Sequence, residues 1–330
     1  MSASYGQAPT PLARGQGRGL LLFSGLLMLA GNLLVWSYYL TTRQPLTAVV
    51  PAGSGISGSI KPRYLFSIYG VQQPLGVAVD RAGERVYVTE SDGERLVRAF
   101  DADGKQLFSF APPKSSPATR SPGYVTLDNQ GQIFVSDIGR RVVDIYDEGG
   151  NFQRSLAPVL KDGWLPLGLR HANGTLYLTD ITDSKHRVVA VRPDGSASVV
   201  FGKEGREAGE LWFPNSAVAG ADGRVFVGDS NNGRVQIFDS AGQLLAIIPG
   251  FSLPRGLALD ASGRLYVVDA VAQEVAVYDT TKPQAELLFR FGDFGLGDGQ
   301  FNYPNDIAVD VGGRIYIADR ASNRVQVWIY

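Results

Sequence analysis

The chain has 330 residues, of which 44% are hydrophobic and 19% are charged, and it contains no Cys and only two His. So few charges argue against a coiled coil, and so many apolar residues argue against disorder. The lack of Cys excludes disulfides and thiolate chemistry, and two His cannot form a three-His zinc site. Beyond Gln44 there are 28 basic and 32 acidic residues, a formal charge of −4 that is unfavourable for binding nucleic-acid phosphates.

The first predicted element is a membrane-spanning helix. Residues 20–40 form an uncharged stretch of 21 residues, which as a helix is about 31 Å long and matches a bilayer core. Arg14 and Arg18 precede it, so the positive-inside tendency predicts a disordered cytoplasmic stub over residues 1–19. A cleaved signal peptide is the alternative, but its apolar region is usually shorter. We therefore expect a single-pass protein of an inner or plasma membrane, with the rest of the chain periplasmic or extracellular.

Residues 41–62 are rich in Pro, Gly and Ser. Such a composition cannot pack and predicts a flexible linker. The linker separates the membrane helix from everything that follows.

From residue 63 onwards the sequence repeats six times. In each repeat a Pro opens a short apolar run, a Gly turn follows, and a second run ends in an acid. The prolines are Pro74, Pro122, Pro166, Pro214, Pro254 and Pro304, and the acids are Glu90, Asp137, Asp180, Asp229, Asp269 and Asp319. A third and a fourth run complete each unit, and four short β-strands per 40–50 residues are typical of a propeller blade.

The two ends of the repeat region predict how the ring closes. The last unit stops after its third strand, at Tyr330, whereas a surplus strand over Arg63–Gly70 precedes the first unit. If that strand joins the last blade, no sheet edge stays open. The prediction is an all-β, six-bladed β-propeller over residues 63–330, closed by an N-terminal strand.

These units resemble NHL repeats. The resemblance is strongest in the pattern F-G-x-x-G-x-x-x-G-x-x-x-x-P, which begins at Phe201 and again at Phe291, and in the runs DSNNGRVQIF and DRASNRVQVW at residues 229–238 and 319–328. NHL propellers include amidating lyases, RNA-binding proteins and protein-binding platforms, and related six-bladed lactonases use a central calcium ion. The resemblance therefore implies the fold but leaves the activity open.

Five of the six repeats also pair their acid with a nearby Arg. The predicted pairs are Asp137–Arg141, Asp180–Arg187, Asp229–Arg234, Asp319–Arg324 and Glu90–Arg95. A catalytic acid would be expected in one blade, whereas a pair found in five blades serves the repeat. We interpret these pairs as structural, between the end of the second strand and the start of the third.

A metal in the central channel is a weaker hypothesis. Asn215, Asn305 and Asp306 stand at the starts of first strands and could converge at one mouth of the channel. Their oxygens suit Ca²⁺, although Asn and Asp also favour turns for local reasons. Blade 1 has Leu75 and Gly76 where a lactonase-like Glu would be expected.

Four aromatic residues precede first strands, in loops that gather on one face: Trp164, Trp212, Phe213 and Tyr303. They either pack between blades or form a partner-docking patch, because Trp and Tyr are common interface anchors. The preferred hypothesis is a non-catalytic, membrane-tethered platform that docks partner proteins. The alternatives are a calcium-dependent lactonase or hydrolase acting in the channel and a ligand-binding sensor that signals through the helix.

Overall fold

The computed structural model describes residues 61–156, 160–192 and 194–330. Within these ranges the chain forms six four-stranded sheets and one short two-stranded sheet. The predicted stub, membrane helix and most of the linker lie outside the described residues. No helix in the described ranges has both the length and the apolar character needed to cross a bilayer.

Six blades follow one another along the chain, and the strands of blades 1 to 5 are in sequential antiparallel order. After β1 (Arg63–Ile68), blade 1 contains β2 (Pro74–Val79), β3 (Arg85–Glu90), β4 (Val97–Asp101) and β5 (Gln106–Phe110), and blade 2 contains β6 (Pro122–Leu127), β7 (Ile133–Asp137), β8 (Val142–Tyr146) and β9 (Phe152–Leu156). Blade 3 contains β10 (Pro166–Ala172), β11 (Thr175–Asp180), β12 (Arg187–Val191) and β13 (Ala197–Phe201), and blade 4 contains β14 (Pro214–Ala219), β15 (Val225–Asp229), β16 (Arg234–Phe238) and β17 (Leu244–Pro249). Blade 5 contains β18 (Pro254–Leu259), β19 (Arg264–Asp269), β20 (Glu274–Asp279) and β21 (Glu286–Phe291).

The remaining elements complete the ring. A parallel pair, β22 (Asp293–Phe294) and β23 (Gln300–Phe301), leads into β24 (Pro304–Val309), β25 (Arg314–Asp319) and β26 (Arg324–Ile329) of blade 6. Short 3-10 turns at Ser230–Asn232 and Arg320–Ser322 join the second and third strands of blades 4 and 6.

Strand β1 supplies the outer strand of blade 6. It pairs antiparallel with β26, from Arg63 opposite Ile329 to Ile68 opposite Val325. The Tyr64 ring stands edge-on to Trp328 at a centroid distance of 6.1 Å. The predicted closure is confirmed, and both ends of the repeat region meet in one sheet with no unpaired edge between them.

The first strands of the six blades surround the central channel, and they contact one another in order around the ring. The second residue after the opening Pro alternates around this ring between Gly and a side chain: Gly76, Tyr124, Gly168, Ser216, Gly256 and Asp306. At Gly168 an added Cβ would lie 1.9 Å from the backbone oxygen of Asn215. Glycine in alternate blades therefore lets neighbouring first strands approach closely.

Most blades pack through an aromatic residue at the end of the third strand. The Tyr146 ring lies 4.7 Å from Phe110 of the preceding blade, and Phe238 lies 4.8 Å from Phe201. Five blades carry such a residue: Phe100, Tyr146, Phe238, Tyr278 and Trp328. Blade 3 has Val191 at the matching position.

We call the face formed by the turns between second and third strands, together with the connections between blades, the upper face. The turns between first and second and between third and fourth strands form the lower face.

Candidate functional site

Three of the predicted acid–Arg pairs form as expected. Nε of Arg187 lies 2.9 Å from Asp180, that of Arg234 2.7 Å from Asp229, and that of Arg324 2.8 Å from Asp319. In each pair the carboxylate side chain is fully buried and the Arg is at most 14% exposed.

The other two acids lie closest to arginines other than the predicted ones. Glu90 pairs with Arg98 at 2.6 Å, because Arg95 turns away to backbone carbonyls of the next connection. Asp137 lies 3.7 Å from Arg140 rather than pairing with Arg141. Sequence spacing could not distinguish these arginines, since the turn geometry decides which one points back at the acid.

The acids of all six blades share a further role. Each accepts a hydrogen bond from a backbone N–H of the connection that leads into its own blade. This bond fixes the connection to the end of the second strand. The donors are Gln72 to Glu90, Ser121 to Asp137, Leu165 to Asp180, Trp212 to Asp229, Leu253 to Asp269 and Asn302 to Asp319. This repeat-wide bond supports the structural interpretation of the acids.

The structure does bring the three metal candidates together in the channel. Asn305 donates from Nδ2 to the Tyr124 hydroxyl at 3.1 Å, and that hydroxyl lies 3.4 Å from Oδ1 of Asn215. Asp306 comes from the same strand as Asn305, and all three candidates are at most 2% exposed. Tyr124 was not recognised in the sequence, because nothing marks a Tyr in a β run as a channel residue.

Two arginines occupy the oxygens that a cation would need. Arg255 donates to Oδ1 of Asn305 at 2.6 Å, and Arg170 donates to Oδ1 of Asp306 at 2.5 Å. The other Asp306 oxygen accepts from the Val77 N–H at 3.0 Å. Burial raises the pKa of Asp306, and the Arg170 guanidinium acts in the opposite direction.

Two guanidinium groups would repel a calcium ion at this point, and the Asn305 and Asp306 oxygens are already hydrogen-bonded. Within the described ranges, no cluster of three or more His, Asp or Glu could hold a metal. The chemistry of this network is that of a channel plug rather than of a metal centre.

The four aromatic candidates do not form one docking patch. Trp164 is 1% exposed, belongs to the core between blades 2 and 3, and donates its indole N–H to the Arg141 carbonyl at 2.9 Å. For Trp164 the structure supports the first of the two alternatives, packing between blades, because the connection before β10 folds its ring inward.

The remaining three candidates are partly buried, and each contacts a neighbour within the propeller. The Arg206 guanidinium lies 4.2 Å above the Trp212 ring, and that of Arg255 lies 5.1 Å from the Tyr303 ring. Phe213 meets His186 edge-on at 5.9 Å. These contacts restrain the rings without removing them from the surface.

Among the described residues, the most exposed apolar side chains on the upper face lie elsewhere, on the connection between blades 5 and 6. Phe294 is 69% exposed and Leu296 is 72% exposed. The connection between blades 3 and 4 has the same glycine pattern and the same alternation of exposed and partly buried residues, and it has Glu204 and Arg206 at the two matching positions.

The two connections share a backbone path. Asp293 and Phe294 pair in parallel with Gln300 and Phe301, and Glu204 makes the equivalent parallel bridge to Leu211. Because this path accepts Glu and Arg, the fold does not require Phe294 and Leu296. Alignment of the two connections in the sequence would have revealed the difference.

The fold and the repeats define the class of the protein: it is a six-bladed β-propeller that carries NHL repeats. The family model described as NHL repeat matches residues 211–238 and 301–328, which lie in blades 4 and 6.

Comparison with known proteins gives relatives for part of the chain. The human "E3 ubiquitin-protein ligase NHLRC1" is 29% identical over 115 residues, which are 34% of this chain and 29% of the relative. The Drosophila melanogaster "Protein brain tumor" is 28% identical over 113 residues, which are 33% of this chain and 11% of the relative. The chain thus spans less than a third of the length of either relative.

Among solved structures, that of a streptogramin B lyase superposes with a TM-score of 0.60 at 14% identity and covers 81% of this chain and 97% of its own. At this identity the likeness shows the fold alone.

Proposed function

We propose that this protein is a membrane-tethered interaction platform outside the cytoplasm, and that it docks a partner protein through the connection between blades 5 and 6. The observation that carries the proposal is the exposure of Phe294 and Leu296 on a path that elsewhere in the same ring bears Glu204 and Arg206. Apolar side chains that the fold does not need, held on a defined loop, are suited to an interface.

The surroundings of the two side chains indicate the kind of partner. Asp293 and Asp298 lie on the same connection, and both are exposed. A partner with an apolar pocket rimmed by Lys or Arg would match this arrangement in both shape and charge. Burying each of the two apolar side chains stabilises a complex by about 1.5–3 kcal/mol.

Two further observations support a binding role. NHL repeats are present, and one relative is by name a ligase of ubiquitin, which is itself a protein. The alternative of a calcium-dependent hydrolase in the channel is disfavoured by Arg170 and Arg255, which neutralise and occupy the oxygens expected to bind the ion.

The membrane tether rests on the sequence of residues 20–40 and on Arg14 and Arg18 before it. Fusions to the C-terminus test this part of the proposal. Alkaline phosphatase should be active and a cytoplasm-folding fluorescent protein should stay dark, and the chain should resist carbonate extraction from membranes. The reverse pattern of reporter activity would contradict the topology.

The docking surface is tested by a photo-crosslinking amino acid placed at position 294 in native membranes, with position 204 as the matched control. A partner should be captured from position 294 only. Its affinity is then measured in purified form for the wild type and for the double exchange Phe294→Glu and Leu296→Arg, which grafts on the residues of the equivalent connection.

Loss of two buried apolar contacts should weaken binding by roughly 100-fold or more. The control exchange, Glu204→Ala with Arg206→Ala, should change the affinity less than about twofold, since exposed charges away from an interface contribute little. Equal capture from both positions, or an unchanged affinity in the Phe294–Leu296 exchange, would exclude this surface.

A further inference from the structure

A groove of about 460 Å³ opens between blades 2 and 3, with the lower-face turns of both blades among its walls. Its apolar lining comes from five strands of these blades and consists of Phe134, Ile145, Leu156, Leu176 and Val191. Its volume falls in the range of sites that bind small molecules, about 300–1,000 Å³.

The groove has a simple origin in the repeat. At three other interfaces an aromatic ring from the end of the third strand packs at a tilt against an aromatic residue of the preceding blade: Tyr146 against Phe110 at 4.7 Å, Phe238 against Phe201 at 4.8 Å and Trp328 against Phe291 at 4.9 Å. At the interface of blades 2 and 3 the corresponding residues are Val191 and Leu156. Both rings are missing, and the groove lies where they would be.

The turn glycines confirm that this interface is more open. A Cβ added at Gly150 would lie 2.6 Å from the Phe110 ring, and one at Gly242 would lie 2.4 Å from Phe201. At the equivalent Gly195 the nearest atom is the Leu156 methyl group at 3.2 Å.

The polar lining has an excess of positive charge. The Arg154 guanidinium makes no ion pair or hydrogen bond with the described residues, and that of Arg192 bonds only within its own turn, to Ser196 and Ala197 at 3.3 and 3.2 Å. The carboxylate in the lining is Asp128, whose Oδ1 accepts from two backbone N–H groups of its turn.

His171 stands at the inner end, where it also lines the lower mouth of the channel. Its ring stacks on Phe134 at 6.0 Å and 15°. Burial lowers the pKa of His171, against a smaller opposite effect of Asp128, so the imidazole is neutral at pH 7. Its two ring nitrogens have no hydrogen-bond partner among the described residues, and neither nitrogen is fully buried. Both are therefore accessible to solvent or to a ligand.

We propose that this groove binds a small aromatic carboxylate. The ring of the ligand takes the place of the missing interface aromatic, between Leu156 and Val191, and the carboxylate faces Arg154 and Arg192. Guanidinium groups match carboxylates in both charge and geometry. This second site is independent of Phe294 and Leu296, so either proposal can fail without the other.

The test uses 3-(4-fluorophenyl)propionate as the probe and fluorine NMR on the full chain in detergent, with empty micelles as the blank. A saturable shift is expected. The matching amide should bind roughly tenfold more weakly, because it cannot form the charge-assisted bonds. A probe with the same carboxylate on a short alkyl chain should also bind more weakly, because it does not fill the position of the ring.

Two variants locate the site. Val191→Phe restores the residue type of the other blades and should fill the groove, so binding should be lost while thermal stability is kept or raised. Leu245→Phe adds the same ring at an outer-strand position of blade 4 that is 54% exposed, and it should leave the affinity unchanged. The double exchange Arg154→Gln with Arg192→Gln should keep the ring site but remove the preference for the acid over the amide.

Three results would overturn the proposal. They are no saturable shift up to the solubility limit of the probe, an unchanged shift in folded Val191→Phe, or an acid preference that survives loss of both arginines. If Val191→Phe fails to fold, the arginine exchange at the surface still decides the question.

Discussion

The channel network makes a strong prediction about stability. Replacing Arg170 with Met keeps most of its apolar stem but removes the guanidinium that donates to Asp306 at 2.5 Å and to the Ile307 carbonyl at 2.9 Å. Asp306 has no exposed surface, so solvent cannot replace the lost charge. The Val77 N–H remains its partner, at 3.0 Å.

Removing one member of a buried ion pair typically costs about 3–5 kcal/mol, because the other charge stays buried without compensation. In a domain of this size each kcal/mol corresponds to roughly 2 °C, so the melting temperature should fall by roughly 6–10 °C. A matched surface variant is Lys203→Met, since the Lys203 side chain is 75% exposed and its Nζ lies 3.0 Å from Glu210. It should cost less than about 1 kcal/mol.

The pH dependence gives a second readout. Burial raises the pKa of Asp306, and Arg170 opposes that shift, so loss of Arg170 raises the pKa further above its value in the unfolded chain. Between the pKa of Asp306 in the unfolded chain and its higher pKa in the native variant, the native state binds more protons than the unfolded state. The stability of the variant therefore falls as pH rises through this range. The deficit of Arg170→Met relative to wild type should therefore be larger at pH 7.5 than at pH 5.

Urea unfolding of wild type, Arg170→Met and Arg170→Met with Asp306→Asn at both pH values measures these differences. The added Asp306→Asn exchange removes the buried carboxylate that has lost its Arg partner, and it should restore part of the lost free energy of unfolding. A deficit below about 1 kcal/mol at pH 7.5, or one that does not change with pH, would refute the account of the channel as a closed, charge-compensated plug.

Three further predictions concern single residues. Trp164→Ala should lower the free energy of unfolding in urea by about 3–5 kcal/mol, because the ring is buried. Trp212→Ala should lower it by about 1–2 kcal/mol, because that ring is partly exposed and loses mainly its contact with Arg206. Similar losses in the two variants would contradict the placement of the two rings. Gly168→Ala should abolish folded protein, since its Cβ would lie 1.9 Å from a backbone oxygen of the next blade. Gly174→Ala has open space around it and a φ of +75°, so it should cost only about 1–2 kcal/mol of backbone strain. Equal expression and melting temperatures of the two variants would exclude the close approach at Gly168. His171 has a lowered pKa in the folded protein, so stability should fall as pH drops below about 6.5, the pKa of an unperturbed His, towards the pKa of the folded state. His171→Asn should remove this part of the acid sensitivity. A variant whose melting temperatures between pH 7.5 and 5 match those of the wild type would exclude this contribution of His171.

The repeat pattern predicted the fold and its closure. Opening prolines, turn glycines and closing acids recur because each blade must begin, turn and end in the same way, so these features are local and visible in sequence. The pairing of β1 with β26 followed from a strand missing at one end and spare at the other. The inward packing of Trp164 was not visible, because the same loop position exposes part of the Trp212 ring.

The sequence by itself determined how many blades form, where each begins and which acid ends the second strand of each blade. Tertiary structure alone decided which arginines meet those acids, that Arg170 and Arg255 reach the oxygens of the channel, and that Val191 leaves a groove between two blades. The physical reason is distance along the chain. Arg170 and Asp306 are 136 positions apart, and only closure of the ring brings their blades face to face across the channel.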